Sequence, residues 1–103
     1  MTPARILIVE DEQITAADIE DILGAIGHQV VAIVASGRSA IERAERDRPD
    51  LVLMDIRLKG DIDGIEAARA IRERRGIPSL FLTAHADDST LERAKLAEPL
   101  GYI

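Results

Sequence analysis

The chain contains no cysteine, which excludes a disulfide framework and a thiolate metal site, so redox chemistry says nothing about the compartment. Its first residues contain no apolar stretch of about 7–15 residues, so we expect no signal peptide. No apolar run approaches the roughly 20 residues that span a bilayer. These absences favour a cytoplasmic domain that binds no membrane.

Basic residues are outnumbered: 13 Lys and Arg stand against 19 Asp and Glu, for a formal net charge of −6. This balance argues against direct binding of nucleic acid and suits Mg²⁺ or a basic patch on a partner protein better. The Gly-x-Gly-x-x-Gly and Walker motifs are absent as well. The sequence therefore carries no signal for nucleotide binding.

Length and composition allow one domain with one core. The 103 residues are 47% hydrophobic and 31% charged, which is ordinary for a globular protein. They contain neither a linker, nor an internal repeat, nor a low-complexity tract. We assign residues 1–103 to a single domain.

Short apolar runs alternate with helical patterns along the chain. Continuous apolar runs are typical of strands buried on both faces, and they predict strands at residues 6–9, 30–34, 51–54 and 79–83, with a fifth beginning at 99–103. Between them, apolar residues three and four apart predict helices. The face of the first helix carries Ile19, Ile22, Leu23 and Ile26.

Capping patterns mark the later helices. Ser39 with Glu42, and Asp63 with Glu66, have the spacing of a capping box. A fourth helix is predicted over residues 87–97. Strands and helices that alternate in this way predict an α/β fold with a parallel sheet covered on both faces. A short last strand with no helix after it would leave apolar sheet surface uncovered, so we expect the chain to be C-terminally incomplete.

Polar side chains follow three of the predicted strands. Glu10 and Asp11 follow the first, Asp55 the third and Thr83 the fourth. Because the carboxyl ends of parallel strands share one edge of the sheet, we expect these groups to converge. Clustered carboxylates repel one another unless a cation neutralises them, and hard oxygen ligands suit Mg²⁺.

Asp55 is the candidate nucleophile because it follows the innermost predicted strand. Carboxylate nucleophiles form acyl phosphates, and a divalent ion would bridge Asp55 to an incoming phosphoryl group. Thr83 could offer its hydroxyl to a phosphoryl oxygen. A purely structural interpretation stands beside this one: the acidic pair would only favour a first helical turn, Asp63 would cap a helix, and Tyr102 would be a core or rim aromatic.

In chain order and at family spacing, five motifs resemble the receiver domains of two-component response regulators: residues 6–12, 51–55, 63–64, 80–84 and 101–103. The resemblance covers essentially the whole chain. It implies a flavodoxin-like, doubly wound, five-stranded parallel sheet of order 2-1-3-4-5, whose last strand and final helix are truncated here.

The resemblance also implies roles for residues. Glu10, Asp11, Asp55 and the backbone carbonyl of Arg57 would hold Mg²⁺. Asp55 would accept a phosphoryl group from a sensor histidine kinase or a histidine phosphotransfer protein. The resemblance implies two further roles. The switch pair would be Thr83 and Tyr102, and the acyl-phosphate lifetime would be tuned by Arg57 and His85.

On this reading the chain is a phosphoacceptor signalling domain. It would catalyse only its own phosphoryl transfer and dephosphorylation, and it would pair with a second copy through the face formed by the fourth helix and fifth strand. It would contact neither nucleic acid nor membrane.

Two departures from the family pattern matter. The stretch from Asp55 to Gly64 is one residue longer than the commonest spacing, which predicts a bulged loop at residues 59–61. Receivers place a lysine two residues past the position of Ile103, and Lys95 cannot replace it because Lys95 belongs to the predicted fourth helix. The 103-residue chain is therefore expected to switch poorly.

Two alternatives remain open. One is a non-phosphorylated pseudo-receiver that acts only as an interaction module, against which the intact acidic pair and acceptor argue. The other is a phosphatase of the haloacid dehalogenase type. That class requires Asp-x-Asp directly after the first strand, which residues 11–13 do not supply.

Overall fold

The computed structural model describes residues 3–82 and 87–103. Strands and helices alternate along these residues as the sequence predicts. The strands are β1 (Arg5–Val9), β2 (Gln29–Val34), β3 (Leu51–Asp55), β4 (Ser79–Leu82) and β5 (Gly101–Tyr102). The helices are α1 (Gln13–Ala25), α2 (Gly37–Asp47), α3 (Gly64–Arg75) and α4 (Asp88–Lys95).

The five strands form one parallel sheet in the order β2-β1-β3-β4-β5. This order confirms the predicted doubly wound, flavodoxin-like topology. Strand β3 lies at the centre, and Val9 of β1 is in register with Met54 of β3. As a result Glu10 and Asp55, the next residue of each strand, reach the same edge of the sheet side by side.

The sheet has an apolar layer on each side. The larger layer joins alternate residues of the central strands, among them Val9, Met54 and Phe81, to small and branched side chains of α2, α3 and α4. The smaller layer joins Ile8 and Leu53 to α1. Since both faces of β1 and β3 are buried, these strands are rigid supports for the residues that follow them.

Helix α1 buries less of its apolar face than its periodicity predicts. Only Ala16 is fully buried, and Ile19 and Leu23 are partly buried. Ile22 and Ile26, which share the predicted apolar face, are 62% and 55% exposed, so only part of that face is buried. The reason is that, among the described residues, α1 alone covers this side of the sheet, and side chains on its flank meet no neighbouring helix.

The starts of two helices test the capping predictions. Helix α3 begins with the predicted capping box, in which Asp63 accepts from the Glu66 N–H and Glu66 accepts from the Asp63 N–H. Helix α2 begins earlier than predicted. Its cap is Ser36, whose hydroxyl accepts a hydrogen bond from the Ser39 N–H at 3.1 Å, so the Ser39 prediction is wrong by one turn.

Within the described part of the chain, no helix combines the length and the apolar character needed to cross a membrane.

Candidate functional site

Three carboxylates meet at the carboxyl edge of the sheet. Glu10 follows β1 directly, Asp11 comes next, and Asp55 is the last residue of β3. Each offers one oxygen, and these oxygens all lie within 4.8 Å of one another. The convergence expected from the parallel topology is therefore present for these three residues.

Backbone N–H groups hold two of the three carboxylates in place. The Glu12 N–H donates to Oε1 of Glu10 at 3.1 Å, and the Arg57 N–H donates to Oδ1 of Asp55 at 3.0 Å. Glu10 is only 8% exposed, and its own N–H donates to the carbonyl of Val34 at 2.9 Å. The cluster is thus oriented by the main chain itself.

Burial and mutual repulsion make the negative charge of this cluster unfavourable. Burial is the largest cause that raises the pKa of Glu10 from 4.5 to about 7. The hydrogen bond from the Glu12 N–H lowers this pKa, whereas the charge of Asp55 raises it further. Burial also raises the pKa of Asp55, against the hydrogen bond from Arg57. Without a cation, the pair therefore favours holding a proton between Glu10 and Asp55.

The donor set fits a hard divalent cation. Three carboxylate oxygens from two adjacent strand ends are the ligands that Mg²⁺ prefers, and the ion would offset the burial and the repulsion that raise the pKa values of Glu10 and Asp55. Arg57 stands beside the cluster through its N–H contact with Asp55. A role for its carbonyl as a ligand stays a prediction.

The loop after Asp55 folds back against it. Gly64, the first residue of α3, lies so close that a Cβ at this position would be 2.0 Å from the carbonyl oxygen of Asp55. In the loop that is predicted to bulge, Gly60 has a φ of +112° and Asp61 forms an ion pair with Arg38 of α2. Only glycine adopts such a φ without strain.

The remaining predicted site residues are Thr83, His85 and Tyr102. Thr83 and His85 lie outside the described residues. Tyr102 lies on the edge strand β5, 41% exposed, with its ring centroid 6.3 Å from that of Phe81. Strand β4 separates it from Asp55, so its switch role stays a prediction.

Sequence reasoning missed a contact between the site and α4. Arg93 donates from Nη2 to Oδ2 of Asp63 at 2.9 Å, across 30 residues of chain. A cleft of about 260 Å³ lies between α4 and the loop after β3, and both residues line it. No local pattern points to such a pair, because its members are brought together by the sheet order alone.

Comparison with known proteins agrees with this geometry. The model of the response regulator receiver domain family matches residues 6–103. The transcriptional regulatory protein PdtaR of Mycobacterium tuberculosis is 38% identical over 101 residues, which make up 98% of this chain and 49% of the relative. The chain thus spans about half the length of this curated relative.

Similar solved structures are receiver domains as well. The signal receiver domain of a modulated diguanylate cyclase from Desulfovibrio desulfuricans G20 has a TM-score of 0.94 at 35% identity, covering 99% of this chain and 81% of that one. The receiver domain of a sensor histidine kinase from Pseudomonas aeruginosa PAO1 has a TM-score of 0.85 at 37% identity, covering 99% and 84%. Its crystal structure has a magnesium ion coordinated in the active site cleft.

A parallel sheet of order 2-1-3-4-5 and an acidic cluster at its carboxyl edge accompany a family match from residue 6 to residue 103, and the chain therefore belongs to the response regulator receiver domain family.

Proposed function

We propose that this receiver domain accepts a phosphoryl group on Asp55, in a reaction that depends on Mg²⁺. The donor is a phosphohistidine of a sensor histidine kinase or of a histidine phosphotransfer protein. The observation that carries this proposal is the convergence of Glu10, Asp11 and Asp55 at the end of two central strands, with oxygens within 4.8 Å. The magnesium ion in the similar kinase receiver supports it.

The reaction forms one bond and breaks one. A carboxylate oxygen of Asp55 attacks the phosphorus, the phosphorus–nitrogen bond breaks, and the imidazole leaves with the electron pair. Glu10, Asp11, Asp55 and the carbonyl of Arg57 would hold Mg²⁺, which neutralises the carboxylates and the phosphoryl oxygens when bound. The Arg57 N–H keeps the Asp55 carboxylate oriented throughout.

Signal output is assigned to the face of α4 and β5. By family resemblance, Thr83 contacts the phosphoryl group and Tyr102 responds to it. A groove of about 540 Å³ beside Tyr102 and Leu91 lies on this face, and Leu100, the residue before β5, is 67% exposed. We propose that a second copy of the chain pairs here.

Mass spectrometry tests the acceptor. Incubation with Mg²⁺ and acetyl phosphate is expected to add the mass of one phosphoryl group, and Asp55→Asn is expected to prevent the addition. Asp61→Asn is the control, because Asp61 lies in the same loop but pairs with Arg38 outside the cluster.

Two results would count against the proposal. An added phosphoryl mass that persists in Asp55→Asn would place the acceptor elsewhere. A chain that neither binds Mg²⁺ nor gains mass would instead be an interaction module that works without phosphorylation.

Sedimentation velocity tests the pairing. Leu100→Asp is expected to abolish a dimer, whereas Ile14→Asp, at an isoleucine of α1 that is 81% exposed, is expected to leave it intact. If both variants and the unchanged chain all sediment as monomers, the proposed dimer is wrong.

A further inference from the structure

The first turn of α3 is in direct contact with the backbone of the proposed acceptor. A Cβ on Gly64 would lie 2.0 Å from the carbonyl oxygen of Asp55 and 3.0 Å from the Cα of Ile56. The Gly64 N–H donates to the carbonyl of Ile56 at 3.3 Å. Because packed backbone has no room to yield, a displacement of this turn moves the peptide that carries Asp55.

Asp63 holds this turn with both of its carboxylate oxygens. Oδ1 accepts from the Glu66 N–H at 2.9 Å and completes the capping box. Oδ2 accepts from Nη2 of Arg93 at 2.9 Å. The side chains of Asp63 and Arg93 are 29% and 52% exposed. This pair is therefore better shielded from solvent than the pair of Arg38 and Asp61, whose side chains are 66% and 65% exposed.

Among the described residues, few buried side chains fix the position of helix α4, and Ala97 just beyond its end is one of them. Within it only the small side chain of Ala94 is fully buried, while Leu91 is partly buried. Beyond its end, an ion pair between Arg72 and Glu98 joins the following segment to α3. With so little apolar area buried, the two charge pairs contribute a larger share of the free energy that holds α4 against α3.

We infer that Asp63 and Arg93 are positioning residues of the receiver site: their ion pair couples the position of α4 to the carboxylate cluster through the first turn of α3. This inference rests on the proposed function and names a route by which α4 and the site influence each other. Such coupling is reciprocal. If occupancy of the carboxylate cluster alters the ion pair, removing the pair must alter the affinity of the cluster for its cation.

The experiment measures the Mg²⁺ dissociation constant of the 103-residue chain and its variants by calorimetry. Arg93→Gln is expected to weaken binding about two- to five-fold, the range set by a partly exposed ion pair. Asp63→Asn is expected to do the same, since asparagine still caps the helix but loses the charge. The double variant is expected to be no weaker than either single one.

Lys95→Gln is the matched control. It removes a cation from the same helix, but its partner Glu92 belongs to α4 as well, so no link to α3 is lost. Its Mg²⁺ affinity is expected to equal that of the unchanged chain. Arg93→Lys keeps the charge and is expected to restore part of the affinity.

A spectroscopic readout separates positioning from loss of fold. The Arg57 amide donates to Asp55, so its NMR chemical shift reports on the acceptor, and it is expected to move in Arg93→Gln but not in Lys95→Gln. Normal Mg²⁺ binding by the unchanged chain together with identical behaviour of these two variants would overturn the inference alone. Failure of the unchanged chain to bind Mg²⁺ would overturn the proposed function and this inference together.

Discussion

At the residue scale, Glu10 shows how position in the fold changes the chemistry of an ordinary side chain. The sequence presents it as one of three consecutive acidic residues after a strand. The fold buries its carboxyl group beside that of Asp55, while the neighbouring Glu12 is exposed. Burial is the main reason why the pKa of Glu10 rises to about 7.

The raised pKa predicts a dependence of stability on pH. The folded state holds a proton on Glu10 up to about pH 7, whereas the unfolded chain releases it near 4.5. Stability from this group is therefore present at low pH and is lost as the pH rises from about 4.5 to about 7. Without Mg²⁺ the melting temperature is expected to fall across this range by circular dichroism. Glu10→Gln, or addition of Mg²⁺, is expected to flatten the fall, and an equal slope in Glu10→Gln would contradict the assignment.

Gly64 is a second residue whose importance only the fold reveals. A Cβ here would meet the Asp55 carbonyl at 2.0 Å, so Gly64→Ala is expected to lower the free energy of unfolding by about 1–3 kcal/mol. Gly24→Ala is the matched control, because Gly24 lies inside α1 with nothing within 4 Å of the added carbon. It is expected to stabilise the chain by about 0.5–1 kcal/mol. Urea denaturation of both variants measures the difference. Similar changes in the free energy of unfolding would show that the backbone at Asp55 moves to make room for the added carbon.

At the element scale, the helices differ in how closely they follow their sequence patterns. Helix α3 starts at its predicted capping box and buries Ile71 against the sheet. Helix α1 has an equally clear apolar periodicity, yet Ile22 and Ile26 face outward. Periodicity states which side chains share a face of a helix, and the neighbouring elements decide how much of that face is covered.

Two isoleucines test this difference. Ile71→Ala in α3 removes a side chain that is 1% exposed and is expected to cost about 2–5 kcal/mol of stability. Ile22→Ala in α1 removes one that is 62% exposed and is expected to change stability by less than about 0.5 kcal/mol. Urea denaturation measures both values from the shift in midpoint, provided that the free energy of unfolding depends equally steeply on urea concentration in each variant. A large loss in Ile22→Ala would mean that α1 is covered in solution.

At the scale of the whole molecule, the parallel sheet links the site to the rest of the fold. Both carboxylate-bearing strands run through the centre of the sheet, and apolar layers on its two sides hold them. The free energy of ligand binding at the cluster therefore stabilises the folded state as a whole. Any ligand that binds only the folded chain stabilises it in proportion to the logarithm of its concentration.

Magnesium is accordingly expected to stabilise the entire domain. At a concentration of about one hundred times its dissociation constant, the expected gain in the free energy of unfolding is about 2.7 kcal/mol. Removal of Mg²⁺ by a chelator reverses the gain, and Asp55→Asn is expected to reduce it because one of the three carboxylates is lost. Urea denaturation at several Mg²⁺ concentrations measures it. Equal Mg²⁺ responses of Asp55→Asn and the unchanged chain would place the ion elsewhere.

The sequence by itself determined the alternation of strands and helices, the capping box of α3 and the placement of Asp55 at a strand end. These follow from patterns within a few residues, because apolar periodicity and caps act locally. The strand order was available only through resemblance to a family. The tertiary structure decided the burial that raises the pKa of Glu10, the exposure of Ile22 and the ion pair of Asp63 with Arg93. Each of these depends on segments distant in sequence, since desolvation and charge pairing are set by what lies nearby in space.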